Sequence, residues 1–187
     1  MKKSLLIAAV ASIATYANAV EFDRWQADKS VVSFVFKQMN VPVEGRFKRF
    51  KGKLNFDPAK PTQARAELEI ELASIDAGST EANDEVAGKL WFNSKNYPSA
   101  RFVSSSIKPL GNNRFEVAGK MSIKGRTQDV ITPAILRQDG GSATFEGNFV
   151  LKRADYAIGE GLWADFGTVA NEIQIKFRLT ALAAGKN

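Results

Sequence analysis

The sequence predicts an all-β protein, an antiparallel barrel or sandwich of about eight strands with one short helix. Apolar and polar residues alternate with period two along most of the chain, and Gly-rich turns separate the alternating runs. Only one segment has helical spacing. The clearest region is Arg114–Arg153, where three alternating runs follow one another. Because successive side chains on a strand point to opposite faces, each run has one polar and one apolar face, as in an antiparallel meander.

The first 19 residues predict a secretory signal peptide. A basic start at Lys2-Lys3 precedes a short apolar run, Leu5–Ala14, and the small-residue site Ala17-Asn18-Ala19. This apolar run is shorter than the ~20 residues that a bilayer crossing needs. We therefore expect cleavage before Val20, which leaves a single domain, residues 20–187, of 168 residues.

Extended segments dominate the first part of this domain. A lead-in over 20–30 precedes a strand over 31–36, and a turn or kinked strand follows over 38–45. Extension resumes over 46–56. The run 64–72 is the clearest strand, with small and aliphatic residues on its inner parity and Arg or Glu on the outer parity.

The segment Thr80–Leu90 predicts the single helix. Thr80 can cap its start, and Glu81 lies in the first turn, where a negative charge favours the helix dipole. Ala82, Val86 and Leu90 form one apolar stripe.

The second half of the domain is again mostly extended. A strand over 100–107 and a hairpin turn over 109–113 lead into the central meander. An irregular, glycine-containing stretch over 154–170 follows, and a strand over 172–181 ends the domain. The inward positions are rich in aromatic residues, which could fill the interior or line a pocket.

The chain has no cysteine and no histidine. Disulfides, thiolate or imidazole metal sites, and catalytic pairs built on His are therefore excluded, and no metal is expected. The net charge of +6 falls to +4 when Lys2 and Lys3 leave with the signal peptide. The basic cluster Arg46–Lys53 is interpreted as the solvated face of a strand, so no nucleic-acid partner is expected.

Two motifs give only weak support for an enzymatic activity. Gly159–Ala164 satisfies the dinucleotide-binding spacing, but no helix follows it in an all-β context. Asp155 and Asp165 could act as paired acids, yet nothing in the sequence places them across a cleft. A small hydrolase or dehydratase in the barrel mouth stays open as an alternative.

Several motifs together resemble one known family, the YceI-like polyisoprenoid-binding proteins of the bacterial periplasm. The resemblance covers the whole mature chain, and the order and spacing of the motifs carry it. The matching pieces are Asp28–Phe34, Gly45–Phe47, Phe50–Gly52, Phe56–Pro58, Ser74-Ile75, Trp91–Asn93, Tyr97-Pro98, Phe102, Gly119–Gly125 and Arg153–Gly159.

The resemblance implies an eight-stranded lipocalin-like barrel with a long apolar cavity for a polyisoprenoid or an isoprenoid quinone. It implies storage or transport of that lipid in the periplasm, no enzymatic activity and no cofactor besides the lipid ligand. The family usually carries histidines at places that here hold Lys29, Gln38 and Glu85. A role of those histidines in metal, haem or head-group contact is therefore not carried over to this chain.

The expected lipid-binding residues are the inward apolar ones. They are Phe34, Phe36, Phe47, Leu54, Leu68, Ile70, Trp91, Phe92, Phe102, Phe115, Val117, Met121, Ile135, Phe145, Phe149, Tyr156, Trp163, Ile175 and Phe177, of which Tyr156 and Trp163 are candidates for a rim or lid. The head-group candidates are Arg46, Arg153 and Asp155.

The main alternative is a secreted stress-response or interaction module with a filled barrel and no lipid ligand. A continuous apolar tunnel would favour the lipid carrier, and a closed aromatic core would favour the module. Transient contact with the inner membrane is an expectation, and the oligomeric state stays open, with a homodimer as one option.

Overall fold

The computed structural model describes residues 20–185 and has the predicted all-β architecture. The predicted signal peptide lies outside the described residues. One α-helix, α1 (Thr80–Ala87), is present in this range. The strands are β1 (Phe22–Gln38), β2 (Val41–Phe47), β3 (Phe50–Asn55), β4 (Arg65–Glu71), β5 (Ile75–Asp76), β6 (Ser99–Gly111), β7 (Arg114–Ile123), β8 (Arg126–Asp139), β9 (Ser142–Lys152) and β10 (Glu172–Ala183).

One antiparallel sheet, in the order β3-β4-β6-β7-β8-β9-β10-β1-β2-β5, curls into a barrel. Phe22 of β1 and Phe56, just after β3, exchange backbone hydrogen bonds of 2.9 and 3.2 Å, which joins the two sides of the sheet. β2 pairs with β5 and β3 pairs with β4, so each of two long strands is interrupted once. The ten segments therefore behave as eight barrel strands, which confirms the predicted fold class.

The central meander has the predicted parity in β7 and β9, but β8 differs. Its run Val130–Leu136 is apolar almost throughout, so periodicity cannot assign its inner face. The β7–β8 register places Thr132, Ala134 and Leu136 inward. Ile135 is 44% exposed on the outer wall, so the prediction that it lies in the cavity is wrong. A shift of one residue in register reverses every side chain, and here the turn after β7 sets that register.

The lead-in and the helix also differ from prediction. Residues 22–30 belong to β1; those up to Gln26 pair with β10, and the register then shifts between Gln26 and Val31. Ser79, and not Thr80, caps α1, because its hydroxyl oxygen accepts a hydrogen bond from the Ala82 N–H at 3.1 Å. The helix ends at Ala87, before Gly88, so Leu90 lies beyond it and does not continue the apolar stripe.

The basic cluster is confirmed as a solvated strand face. Arg49 pairs with Glu71 at 2.6 Å and Lys51 pairs with Glu69 at 3.2 Å across the β3–β4 side of the barrel. Both pairs are exposed, so each contributes little stability but keeps the outer wall polar. Among residues 20–185, no helix is long and apolar enough to span a membrane.

The barrel has one densely packed end. We call it the packed end, and its buried residues are Phe22, Phe56, Ala64, Ile107, Phe115, Ala134, Leu136, Ala143 and Ala181. Phe56 is fully buried and meets the rings of Phe115 and Phe145 edge-to-face, with centroids 5.6 and 4.9 Å apart. We call the opposite end the capped end, because α1 and residues 153–170 lie across it.

Candidate functional site: apolar cavities inside the barrel

Two adjacent cavities lie inside the barrel. The first, of about 130 Å³, lies beneath the capped end, and the second, of about 120 Å³, lies towards the packed end. The cavities adjoin each other, since both are lined by Val32, Ile70, Met121, Phe149 and Ile175. Each volume is roughly ten times the space that one water molecule requires. The interior therefore offers an elongated apolar space.

Inward-facing glycines keep this space open although many aromatic rings point inward. Phe34 lies opposite Gly45, and Phe177 lies opposite Gly147 in the strand pairing. A Cβ atom on either glycine would collide with the facing ring. Each ring can thus lie flat against the neighbouring backbone instead of projecting across the barrel.

Arg153 organises the capped end. This side chain is only 1% exposed, and its guanidinium donates hydrogen bonds to five backbone carbonyls. The acceptors are Ile158 at 2.8 Å, Gly159 at 2.9 Å, Trp163 at 2.7 Å, Val169 at 2.8 Å and Ala170 at 3.2 Å. Arg153 thereby holds the irregular segment 153–170 in a compact fold over the barrel.

Among the described residues, no carboxylate accepts a hydrogen bond from the buried Arg153 guanidinium. Burial lowers the pKa of its guanidinium, while the negative charge of Asp165 acts in the opposite direction. The guanidinium carbon lies 5.6 Å from the Trp91 ring centroid and 5.1 Å from that of Phe166. Aromatic faces carry partial negative charge, so both rings stabilise the buried cation.

Within residues 20–185, one side-chain hydrogen bond joins the cap to the helix. The Trp163 indole N–H donates to the Glu85 carboxylate at 2.7 Å, and both residues belong to the capped end. Glu85 therefore supplies a carboxylate acceptor at this end of the barrel. Tyr156 lies under the same segment, and burial raises its pKa to about 12, with Asp155 adding to the shift.

The second cavity reaches a seam in the barrel wall between β1 and β3. Within the described strands, β1 and β3 form no paired ladder, and the isolated Phe22–Phe56 bridge lies just after β3. The Trp25 ring covers the seam: a Cβ on Gly52 would lie 2.7 Å from it, and the Phe50 ring meets it edge-on at 6.1 Å. The outward-parity residues Lys53 and Glu67 also line this cavity.

Comparison with known proteins places the chain in a family. The model of the YceI-like domain family matches residues 24–181, which is most of the chain. The protein belongs to the YceI-like family. Among curated relatives, a UPF0312 protein of Pseudomonas fluorescens is 28% identical over 191 residues and covers 94% of each chain. A UPF0312 protein of Shewanella denitrificans is 31% identical, covering 72% of this chain and 73% of its own.

Solved structures share the YceI-like fold. The crystal structure of Burkholderia cenocepacia BcnA is 48% identical, with a TM-score of 0.82, and the match covers 84% of this chain and 99% of that one. A polyisoprenoid binding domain from Saccharophagus degradans has a TM-score of 0.68 at 17% identity, covering 89% and 99%. The second similarity concerns the fold alone.

The YceI-like barrel brings most of the predicted lipid-binding residues to the cavities. Ile135, Tyr156 and Trp163 line neither cavity. Tyr156 and Trp163 lie in the cap above the first cavity. The residues that do line them are Phe34, Phe36, Phe47, Leu54, Leu68, Ile70, Trp91, Phe92, Phe102, Phe115, Val117, Met121, Phe145, Phe149, Ile175 and Phe177.

The three head-group candidates do not converge. Arg153 lines the first cavity, but its N–H groups are bound to backbone carbonyls. Arg46 is exposed and lies 3.6 Å from the Asp76 carboxylate. Asp155 is exposed as well, and neither it nor Arg46 lines a cavity. The prediction that these three side chains share one polar mouth is therefore wrong, because two lie on the outer surface and Arg153 holds the cap.

Sequence reasoning missed two kinds of cavity residue. Trp25 was placed in an irregular lead-in, although its position in β1 puts it at the seam. Val169 and Ile158 come from the irregular segment, where no periodicity marks the inner face. Gly147 carried a usable signal, because it lies on the inward parity of β9 between Phe145 and Phe149.

Proposed function

We propose that this YceI-like protein binds, stores or carries a long apolar lipid, a polyisoprenoid or isoprenoid quinone, in its barrel. The observation that carries the proposal is the pair of adjacent apolar cavities, which share five lining residues. An isoprenoid tail forms almost no hydrogen bonds, so its binding free energy comes from removing apolar surface from water, at roughly 25 cal/mol per Å². Walls of aliphatic and aromatic side chains suit such a tail.

The arrangement of the cavities favours a long ligand over a compact one. The first cavity extends from Trp91 and Val169 under the cap to Ile175, and the second continues from Ile175 towards Ala134 and Ile107. One flexible chain can occupy both spaces, whereas a compact molecule would leave one of them empty. Because one methylene group contributes little discrimination in an apolar pocket, we expect weak selectivity for the length of the tail.

The relatives support this proposal. The Saccharophagus degradans structure with the same fold is described as a polyisoprenoid binding domain. The inward glycines that keep the interior open give a physical reason why the present chain can share that capacity.

We propose binding rather than catalysis. Asp165, one of the two carboxylates considered for catalysis, is exposed and accepts hydrogen bonds from the Gly167 N–H at 2.9 Å and the Thr168 hydroxyl at 3.3 Å. It thus shapes its own loop. A hydrolase in the barrel mouth would lose turnover in Asp155→Asn and Asp165→Asn variants, and this measurement separates the two functions.

A paired substitution tests the lipid proposal. Ile175 lines both cavities, whereas Ile131 lies on the outer wall and is 64% exposed. We expect Ile175→Trp to reduce uptake of coenzyme Q2, a benzoquinone with two isoprene units, at least tenfold. Ile131→Trp should bind it like the unmodified protein. Phe149→Trp serves as a second blocking variant if Ile175→Trp does not fold.

Equal uptake by the folded blocking and control variants would overturn the proposal, because the ligand would then lie outside the barrel. Failure of the unmodified protein to take up any isoprenoid would favour the interaction module without a lipid ligand.

We further propose that the protein acts in the periplasm after signal-peptide cleavage. Osmotic-shock fractionation of the host, followed by N-terminal sequencing, should recover a protein that begins at Val20. Recovery of an uncleaved protein in the cytoplasmic fraction would contradict this part of the proposal.

A further inference from the structure

The seam between β1 and β3 is a part of the barrel wall that has no ladder of backbone hydrogen bonds. Among the described strands, the segment Phe22–Val31 of β1 pairs with β10 alone, because the β1–β2 ladder begins at Val32. β3 pairs with β4 at its opposite edge. The isolated bridge between Phe22 and Phe56 joins the two edges at the packed end. Separating the edges beyond this bridge therefore breaks no ladder, whereas separating two paired strands costs several hydrogen bonds.

The Trp25 ring closes the inner side of this seam. Trp25 pairs with the fully buried Ala181 of β10, so the two side chains share the inward face. A Cβ atom on Gly52 of β3 would lie 2.7 Å from the Trp25 ring, and the Phe50 ring meets it edge-on with centroids 6.1 Å apart. The ring is thus a plug between two strand edges, and it lines the second cavity.

The plug is not fastened by a side-chain hydrogen bond. The Trp25 indole N–H is buried and has no acceptor within residues 20–185, whereas the Trp163 indole donates to Glu85. An indole N–H is a donor only, and a buried donor without a partner is unfavourable. Water can bind this N–H when the ring turns out of the wall. Displacing Trp25 therefore recovers a hydrogen bond that the closed seam lacks.

A long isoprenoid tail exceeds the length of the barrel. The 10 residues of β7 correspond to about 25 Å along the axis of a barrel with tilted strands. One isoprene unit adds four backbone bonds, or about 5 Å when extended, so eight units extend about 40 Å. The second cavity ends at the packed end against Ile107, Phe115 and Ala134, which block a path along the axis. The seam lies beside this cavity and offers a path through the wall.

We propose that the seam between β1 and β3 is a side exit for the ligand's tail, so that a tail longer than the two cavities displaces Trp25 and passes out between the strands. This inference rests on the proposed lipid-binding function and adds the path that long tails take. Units of the tail beyond the wall contact little of the protein. The exit therefore gives a structural reason for weak selectivity among long tails.

The first test compares two probes with the same quinone head, each loaded from detergent micelles. Coenzyme Q2 has two isoprene units, and coenzyme Q8 has eight. Because the chain has no cysteine, Lys53→Cys can carry a single environment-sensitive dye on the exposed face of β3 beside the seam. We expect its emission to shift to shorter wavelength with coenzyme Q8 and to stay unchanged with coenzyme Q2. Lys120→Cys on the outer face of β7 is the control and should respond to neither probe.

A pair of truncations separates an exit from a mere gain in cavity volume. Phe102 lines the same cavity and also packs over a glycine, Gly119, but ladders to β4 and β7 flank it. We expect Trp25→Ala to raise the affinity for coenzyme Q8 relative to coenzyme Q2 by about 2- to 10-fold, because the tail no longer has to break the aromatic contact of the plug. Phe102→Ala should leave this ratio unchanged.

A third readout uses the unmodified protein and its three tryptophans. In a ¹H–¹⁵N spectrum, coenzyme Q8 should move the Trp25 indole signal and speed its exchange with water, whereas coenzyme Q2 should do neither. The signals of Trp91 and Trp163 should respond alike to the two probes, because the head is the same. This measurement tests the exit even if Trp25→Ala does not fold.

Three results would overturn the inference. The dye at position 53 and the Trp25 signal could stay unchanged with bound coenzyme Q8, which would mean that the tail folds back inside the barrel or leaves through the cap. Trp25→Ala and Phe102→Ala could raise the affinity ratio equally, which would indicate an effect of volume alone. Coenzyme Q8 could also fail to bind where coenzyme Q2 binds. If neither probe binds the unmodified protein, the proposed lipid-binding function itself fails.

Discussion

The two ends of the barrel are closed by different interactions. At the packed end, Phe56 is buried among aromatic rings, and the Phe22–Phe56 bridge completes the wall. At the capped end, Arg153 and the Trp163–Glu85 hydrogen bond hold an irregular segment across the opening. The packed end, which is closed by apolar contacts, opens only when the core is disrupted. The capped end, which is held by hydrogen bonds, can open locally, because the released backbone carbonyls can bind water.

This difference indicates a division of labour within one barrel. We infer that the packed end contributes stability through apolar contacts alone, whereas the capped end, which combines the buried residues Tyr156, Ile158 and Val169 with polar bonds, would admit and release the proposed ligand. Lids that open locally are generally held by few apolar contacts and by polar bonds that water can replace. The predictions below test this division, beginning with the largest expected effect.

Phe56→Ala should destabilise the whole protein by about 3–5 kcal/mol, because it removes a fully buried ring from a packed cluster. Urea denaturation followed by circular dichroism measures the change in free energy of unfolding. A loss below about 1 kcal/mol would mean that the packed end is not the stabilising part of the barrel.

Arg153→Met should cost about 2–4 kcal/mol and should loosen mainly the segment 153–170. The methionine keeps an apolar stem but leaves five backbone carbonyls without their donor. Hydrogen exchange followed by mass spectrometry should show faster exchange across the cap, while exchange in β7 stays slow. Uniformly faster exchange in both regions would contradict a local role for Arg153.

Phe149→Ala should cost less than Phe56→Ala, about 1–3 kcal/mol. Phe149 lines both cavities, so part of its ring has no protein neighbour to lose. Thermal melts of the two variants, each with and without coenzyme Q2, compare the two regions directly. An equal loss in both variants would indicate that the ring of Phe149 lies in a filled core.

Glu85→Ala should change stability by only about 0.5–1.5 kcal/mol, because the bond to Trp163 is exposed. It should nevertheless accelerate dissociation of bound coenzyme Q2, measured by stopped-flow displacement, because the cap loses its tie to α1. Asp84→Ala on the same helix is the control and should leave the dissociation rate unchanged. Identical rates in the two variants would remove the cap from the release pathway.

The smallest effect concerns acid pH and the outer wall. The hydrogen bond from Arg49 lowers the pKa of Glu71 below its usual value of 4.5. A depressed carboxyl pKa stabilises the fold above the unfolded-state pKa, and this contribution is lost as the pH falls through the folded-state value. In Glu71→Gln, the decrease of stability below pH 4.5 should therefore be shallower. An unchanged pH profile would show that this exposed pair contributes nothing measurable.

The sequence was sufficient to predict most of the fold, because period-two alternation in β4, β7, β9 and β10 records which face is buried. It failed where that signal is absent. Val130–Leu136 is apolar on both faces, so Ile135 could not be assigned to the outer wall. A register shift between Gln26 and Val31 breaks the alternation, so the start of β1 and the position of Trp25 were not recognised.

The cavities were predictable in composition but not in shape. Inward aromatic residues could either fill or line the barrel, and the outcome depends on pairs such as Phe177 with Gly147, which belong to different strands. Arg153 was singled out as a polar residue at the ligand site. Its role in the cap depends on carbonyls from residues 158–170, whose positions follow from the tertiary fold alone.

The most direct test of a lipid-filled barrel is native mass spectrometry of the protein purified from its host, followed by organic extraction of the bound material. We predict one lipid per chain, with the mass of a polyisoprenoid or an isoprenoid quinone. A protein that is empty on purification and that also fails to take up ubiquinone would contradict lipid binding and would favour an interaction module.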